Sequence, residues 1–247
     1  MADNNFHNVQ NNVKPVSKAG KSVKKSKIKS ASRPAESGLK SQNKQAAKSP
    51  KPAKPQPKKQ LWRPGNMLYP LPAVMVSCAD KEGNSNIITI AWTGTICSDP
   101  AMLYISVRPS RYSYDLIRDS REFVVNLTTR ELAKTTDWCG VVSGRDKNKW
   151  KERGLTKAKA ETLKYAPVIA ESPVNIECKV TEIKPLGSHD MFIAEVTGVQ
   201  VDEKYMDENG SFDLVSAGLI AYSHGKYSSV GKPFGKFGYS VKKKGKK

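Results

Sequence analysis

The sequence predicts a mainly β domain with short helices. Several stretches alternate apolar and polar residues with a period of two, Gly- and Pro-rich turns separate them, and two of the three helix signals are ended early by a Gly. The clearest alternation sets Val174, Ile176, Cys178 and Val180 against Asn175, Glu177, Lys179 and Thr181. Leu103, Ile105 and Val107 do the same against Met102, Tyr104 and Ser106.

Charge sets the boundaries. Residues 1–60 hold fifteen Lys and Arg against Asp3 and Glu36, a net charge of +13, and residues 241–247 add five Lys. That leaves 22 basic and 21 acidic residues in 61–240, a nearly neutral body. The first segment is rich in Lys, Ala, Ser, Pro and Asn. It has too few apolar residues to offset its chain entropy, so it is expected to be a disordered tail. Such a tail has the charge for a polyanion or nucleic acid but no interleaved aromatics; it serves equally as a solubilising segment. No apolar run is long enough for a signal peptide or a membrane span, so a cytoplasmic protein without membrane contact is expected. Cys78, Cys97, Cys139 and Cys178 are widely spaced and only three His are present, which gives no metal site. Cys78 and Cys178 alternate with apolar neighbours and are assigned to the core; a redox role for Cys97 is left open.

The fold is expected to begin near Trp62. Pro70-Leu71-Pro72 leads into a strand over Ala73–Ala79, and Asp80–Asn84 is a turn. In the next stretch, Asn86 to Pro100, Ile88, Ile90 and Trp92 form a bulky face and Thr89, Ala91 and Thr93 a small one, with a break at Gly94. A small face beside a glycine lets a flat polar ring such as an isoalloxazine approach the backbone. The pattern also describes a half-buried strand with Thr facing solvent.

After Ser98-Asp99-Pro100 comes the strand over 102–107, ended by Arg108-Pro109. Ser113–Asp119 is expected as a short helix with Ser113 as N-cap. Arg108 and Arg111 precede it, although a helix N-terminus favours anions. A bound phosphate would resolve the conflict, as would two arginines turned into solvent. Glu122–Leu127 is a strand. Thr128 with Glu131 is a capping box for a helix to about Trp138, closed by Gly140. Asp146 caps a second short helix that carries Trp150 and stops at Gly154; nothing is assigned from there to Ser172. Residues 174–201 form a long hairpin with His189 at its tip, where an isolated histidine is ordinarily a solvated surface residue. Residues 221–239 hold too many Gly for one regular element and are expected as an aromatic loop.

Taken together, the pattern resembles the flavin reductase-like, FMN-binding split-barrel family, in its flavoredoxin-like branch, over roughly residues 65–240. The resemblance is carried by Asn86 to Pro100, by Arg108-Pro109-Ser110-Arg111-Tyr112-Ser113, by Glu122-Phe123-Val124-Val125-Asn126, by Gly187-Ser188-His189-Asp190-Met191-Phe192, and by Tyr227-x-x-x-Gly231. It implies a six-stranded antiparallel Greek-key split barrel, a homodimer, one FMN per subunit, and NAD(P)H as electron donor to free flavin or another acceptor. By resemblance, Thr89 to Gly94 (with Ala91, Trp92 and Thr93) would line the isoalloxazine. Ser98 would position the ribityl-phosphate arm, and Arg111 with Ser113 would hold phosphate. Asn86, Arg108 and Tyr227 complete the cofactor-binding set, and His189 would lie near flavin or nicotinamide. Two features depart from the pattern: Ser188 stands where the family often has Asp, and the basic tail is extra.

The implied function is an FMN-dependent oxidoreductase in which the flavin does the chemistry, consistent with the lack of clustered acid–base residues. The rivals are a flavin-carrying electron-transfer protein with no nicotinamide site and a nucleic-acid-associated dimer in which the tail is the functional part.

Overall fold

A computed structural model describes residues 56–241. The two basic tails therefore lie almost wholly outside the described residues, and so does the polyanion contact expected of them. The compact unit that carries the fold starts at Trp62. Its elements in chain order are β1 (Leu71–Pro72), β2 (Val74–Ala79), β3 (Ser85–Ile90), β4 (Thr93–Ser98), β5 (Ala101–Val107), α1 (Tyr112–Ser120), β6 (Glu122–Leu127), α2 (Ala133–Val141), α3 (Lys149–Arg153), β7 (Lys157–Ala158), β8 (Val168–Ile169), β9 (Val174–Pro185), β10 (Asp190–Val201), β11 (Ile220–Ser223) and β12 (Lys226–Ser229). Among the described residues, no helix is long and apolar enough to cross a membrane.

The main sheet is antiparallel in the order β3-β2-β6-β9-β10-β5-β4. Its two outermost strands, β3 and β4, are consecutive in sequence and joined only by Ala91-Trp92. The sheet therefore begins and ends on two halves of one bent segment, which curls it into a barrel with little free edge. Counted as one bent strand, β3 and β4 make this the six-stranded split barrel that the sequence led us to expect.

The bend corrects one expectation. The 86–100 stretch breaks at Ala91-Trp92 and not at Gly94, and the break is a three-residue turn in which Thr93 N donates to Ala91 O at 3.1 Å. Ser106 N reaches back to Trp92 O at 2.8 Å and ties the bend to β5. Gly94 lies inside β4 opposite Tyr104, where a Cβ would come within 3.2 Å of the tyrosine ring. Its lack of a side chain makes room for Tyr104, not for a ligand.

Val74, Val76, Cys78, Ile88, Ile90, Ile105, Phe123, Cys178 and Phe192 fill the barrel, and Leu116 and Ile117 of α1 pack against them. The opposite face of β2 and β3 carries Met75 and Ile87, covered by Cys139, Trp150, Leu155 and Ile169. This second layer explains the small face of β3. Thr89 donates to Thr136 O of α2, and a Cβ at Gly140 would stand 3.1 Å from the Thr89 Cβ, so the face is small because a helix lies on it.

Several local expectations shift by a residue or two. The N-cap of α1 is Arg111, which makes no side-chain cap bond; Ser113 is inside the helix and fully buried. The Thr128 hydroxyl donates to Ala73 O instead of capping, Thr129 receives the Leu132 N–H, and α2 runs on through Gly140 to Val141. α3 is capped by Asn148, not Asp146, through the Lys151 N–H at 3.2 Å. The expected aromatic loop contains the hairpin β11–β12, turned by His224 and Gly225 at φ of 45° and 76°. Two consecutive residues with positive φ form a type I′ turn, which His-Gly signals more weakly than Asn-Gly.

The unassigned stretch after Gly154 holds β7 and β8 and a loop fastened by two carboxylates from neighbouring strands. Glu122 accepts the N–H groups of Lys164, Tyr165 and Ala166. Glu177, fully buried, accepts those of Glu161 and Thr162, the Thr162 hydroxyl and the Gln200 amide at 2.6 to 2.9 Å. Burial alone would raise the Glu177 pKa, but these donors outweigh it and hold it below the usual glutamate value. We predict that Glu177→Gln, which turns an acceptor into a donor facing N–H groups, costs about 2 kcal/mol at neutral pH. Because the folded-state pKa is depressed, the gap to wild type is full above the ordinary glutamate pKa and closes as pH falls through the folded value. Urea unfolding of both proteins across that range checks this; a gap that does not change with pH would contradict it.

A cationic cleft beside the strand bend

A cleft opens where the bend meets the tip of the β9–β10 hairpin. Its first chamber is lined by Ile88, Thr89, Ile90, Ala91 and Trp92, by Ser106, Val107, Arg108 and Arg111, and by His189. The Trp92 and His189 rings lie parallel, 5° apart, with centroids 6.3 Å from each other. Ser188, the departure from the family pattern, places its hydroxyl 2.9 Å from His189 Nδ1 and supplies a neutral partner. Partial burial, then Arg108 and Arg111, push the His189 pKa below the ordinary value, which favours the neutral imidazole.

The second chamber continues past Ile88 and Arg111, which line both. Its walls are Asn86, Ser110, Tyr112 and Ser113 on one side and Cys139, Gly140, Val142, Ser143, Gly144, Arg145 and Lys149 on the other. Asn86 Nδ2 donates to Ser113 Oγ at 2.9 Å, so that hydroxyl is already engaged in the interior and is not the free cap expected. A Cβ at Gly144 would sit 2.2 Å from Asn86 Oδ1, which explains the glycine. Arg145 Nη1 donates to Ser110 O at 3.1 Å and lies over the Tyr112 ring at 5.4 Å, closing the loop after α2 onto the entrance of α1. Neither chamber is lined by a carboxylate. A lining of this kind can accommodate an anion with a planar portion.

Of the sequence-predicted residues, Asn86, Thr89, Ala91, Trp92, Arg108, Arg111, Ser113 and His189 come together along this cleft. Four do not. Thr93 is buried with its hydroxyl donating to Tyr104 O, Gly94 faces the Tyr104 ring, and Ser98 is exposed at the end of β4. Tyr227 lies on β12 with its hydroxyl 3.2 Å from Asp137; desolvation and that carboxylate push its pKa up to about 12. Ser143, Gly144, Arg145 and Lys149 were not anticipated. The sequence places Lys149 in the short helix expected after Asp146, but only folding shows that it points inward. Among the described residues, no group of His, Cys, Asp and Glu is arranged to hold a metal.

Arg111 links the chambers electrostatically, so removing its charge should be felt at His189. We predict that Arg111→Ala raises the His189 pKa toward the ordinary imidazole value, as followed by NMR titration of the ring. An unmoved titration would show that the guanidinium does not act on this histidine.

Comparison with known proteins agrees with this architecture. Residues 67–231 match the family model described as flavin reductase like domain. An uncharacterized protein of Archaeoglobus fulgidus is 32% identical over 168 residues, covering 68% of this chain and 88% of that protein. Among solved structures, the flavoredoxin of Desulfovibrio vulgaris (Miyazaki F) superposes with a TM-score of 0.69 at 27% identity, over 75% of this chain and 100% of that one. Flavoredoxin from Methanosarcina acetivorans gives 0.68 at 26%, over 74% and 97%. With the family model spanning well over half of its length and the barrel in agreement, this chain belongs to the flavin reductase-like domain family.

Proposed function

We propose that the protein binds FMN in the cleft and passes electrons from NAD(P)H through it to free flavin or another acceptor. The observation that carries this reading is the cleft itself: a planar-walled chamber at the strand bend, continuous with a cationic chamber and lined by no acid. Membership of the flavin reductase-like family and likeness to two flavoredoxins support it.

Bound FMN would supply the redox chemistry at its own ring. The chain's part is to hold and orient it. Ala91 and Trp92, at the bend, would line the ring; Arg111, with Arg108 beside it, would neutralise the phosphate. His189, held neutral, would border the ring or the nicotinamide without adding a like charge beside the arginines. No side chain is required to act as a general acid or base.

A homodimer is part of the same proposal. Trp62, Met67, Leu68, Phe234 and Phe237 are 60% to fully exposed in the single chain, and large apolar side chains of this kind are what a partner subunit would cover. Sedimentation should return a dimer; a monomer at micromolar concentration would contradict this part.

Rapid mixing of the FMN-loaded protein with NADH and with NADPH tests the proposed reaction. Fast bleaching of bound flavin by one of them is expected; bleaching by dithionite alone would leave an electron carrier in place of a reductase. We further predict that Ala91→Leu, which fills the first chamber at its wall, purifies folded but without flavin. A yellow Ala91→Leu protein would place the ring elsewhere.

A further inference from the structure

The tip of the β9–β10 hairpin carries His189 to the cleft with little strand pairing to hold it there. β9 has a neighbour on its outer side only as far as Lys179, opposite Glu122, and Val180, whose N–H donates to Arg121 O at 2.9 Å. From Thr181 to Pro185 that side is open among the described residues, and β10 meets β5 first at Asp190, opposite Val107. Leu186, Gly187 and Ser188 project beyond this pair and are exposed. A lever of this kind swings about its last ladder pair unless a side chain ties it down.

Asp190 supplies the tie. It is 8% exposed, and its Oδ2 accepts the Tyr114 hydroxyl of α1 at 2.6 Å. The Tyr114 ring stands edge-on to Phe192 of β10, with centroids 5.3 Å apart. The hydrogen bond to Asp190, then burial, push the Tyr114 pKa up, so the phenol keeps its proton and remains the donor. Tyr114 lies in the first turn of α1, and its N–H donates to Arg111 O at 2.9 Å. The helix end that brings Arg111 to both chambers therefore also holds the residue next to His189.

Resting on the reading that the first chamber borders a flavin ring, we infer that the Tyr114–Asp190 bond is a latch that fixes the His189 wall of that chamber opposite Trp92, which makes Tyr114 a positioning residue for the site. The parallel setting of the two rings, 5° apart in angle with centroids at 6.3 Å, is what the latch preserves. With the tip fastened to α1, the entropy of ordering the wall is lost on folding and not on binding. The bond also satisfies a buried carboxylate, as any buried acid requires. That role alone does not account for an acid placed beside the histidine at the end of the ladder.

Tyr114→Phe removes the hydroxyl and keeps the ring against Phe192. In the flavin-free protein, the His189 ring proton resonances, followed by NMR, should leave their wild-type positions as the ring loses its fixed setting beside Trp92. FMN and riboflavin affinities should both fall by about tenfold, the worth of one charge-assisted hydrogen bond. Their ratio should not change, because this wall faces the ring and not the phosphate. Asp190→Leu, which removes the acceptor without leaving a buried charge, should reproduce both effects, whereas Asp190→Asn, which keeps an acceptor oxygen, should stay close to wild type. A folded Tyr114→Phe or Asp190→Leu protein with a lowered unfolding midpoint but unmoved His189 resonances and unchanged flavin affinities overturns the inference and leaves a purely structural bond. A loss confined to FMN also overturns it. If the wild-type protein binds neither flavin, the flavin reading falls, and the His189 resonances still decide whether the latch exists.

Discussion

The bend between β3 and β4 is the constraint on which the rest of this structure depends. A curled antiparallel sheet must hide its two edges, and here both edges belong to one segment that turns at Ala91-Trp92. The turn frees the backbone there from regular pairing on either side and sets Trp92 facing the tip of the β9–β10 hairpin. Closure of the barrel and opening of the cleft are therefore the same event.

The second layer gives the cleft its charge. Thr89 presents a small side chain to the second layer and Asn86, on the other face of β3, bonds Ser113, while Gly140 and Gly144 let α2 and its following loop approach these two side chains closely. That packing carries Cys139, Arg145 and Lys149 to the same chamber that Arg111 reaches from the start of α1. Four cations, counting Arg108, meet over a surface with no acid, in a body whose overall charge is close to neutral. Mutual repulsion of this kind is tolerated where an anion is meant to bind.

Much of this was legible in the sequence because burial follows period-two alternation. The strands around Cys78, Ile105, Val125 and Cys178 and the hairpin tip at His189 could be assigned directly. The bend was misplaced because Gly94 is the residue that ordinarily marks a break, whereas the real one is a hydrogen-bonded turn at Ala91-Trp92 that has no compositional signal. Ser113 was misassigned as a cap because a serine before a short apolar run is the usual cap signature; its hydroxyl instead serves Asn86, 27 residues away in sequence. Lys149 was missed for a related reason. In sequence it is one of several charged residues around a short helix, and only tertiary packing turns it inward.

The central claim is that one cleft takes ring and phosphate together, the ring along Ala91-Trp92 and the phosphate beside Arg111. A crystal structure of the protein grown with FMN tests it most directly. The account predicts electron density for the isoalloxazine in the first chamber and for the phosphate in the second, within hydrogen-bonding reach of Arg111. Flavin density elsewhere on the barrel, or with its phosphate turned away from that chamber into solvent, would contradict it.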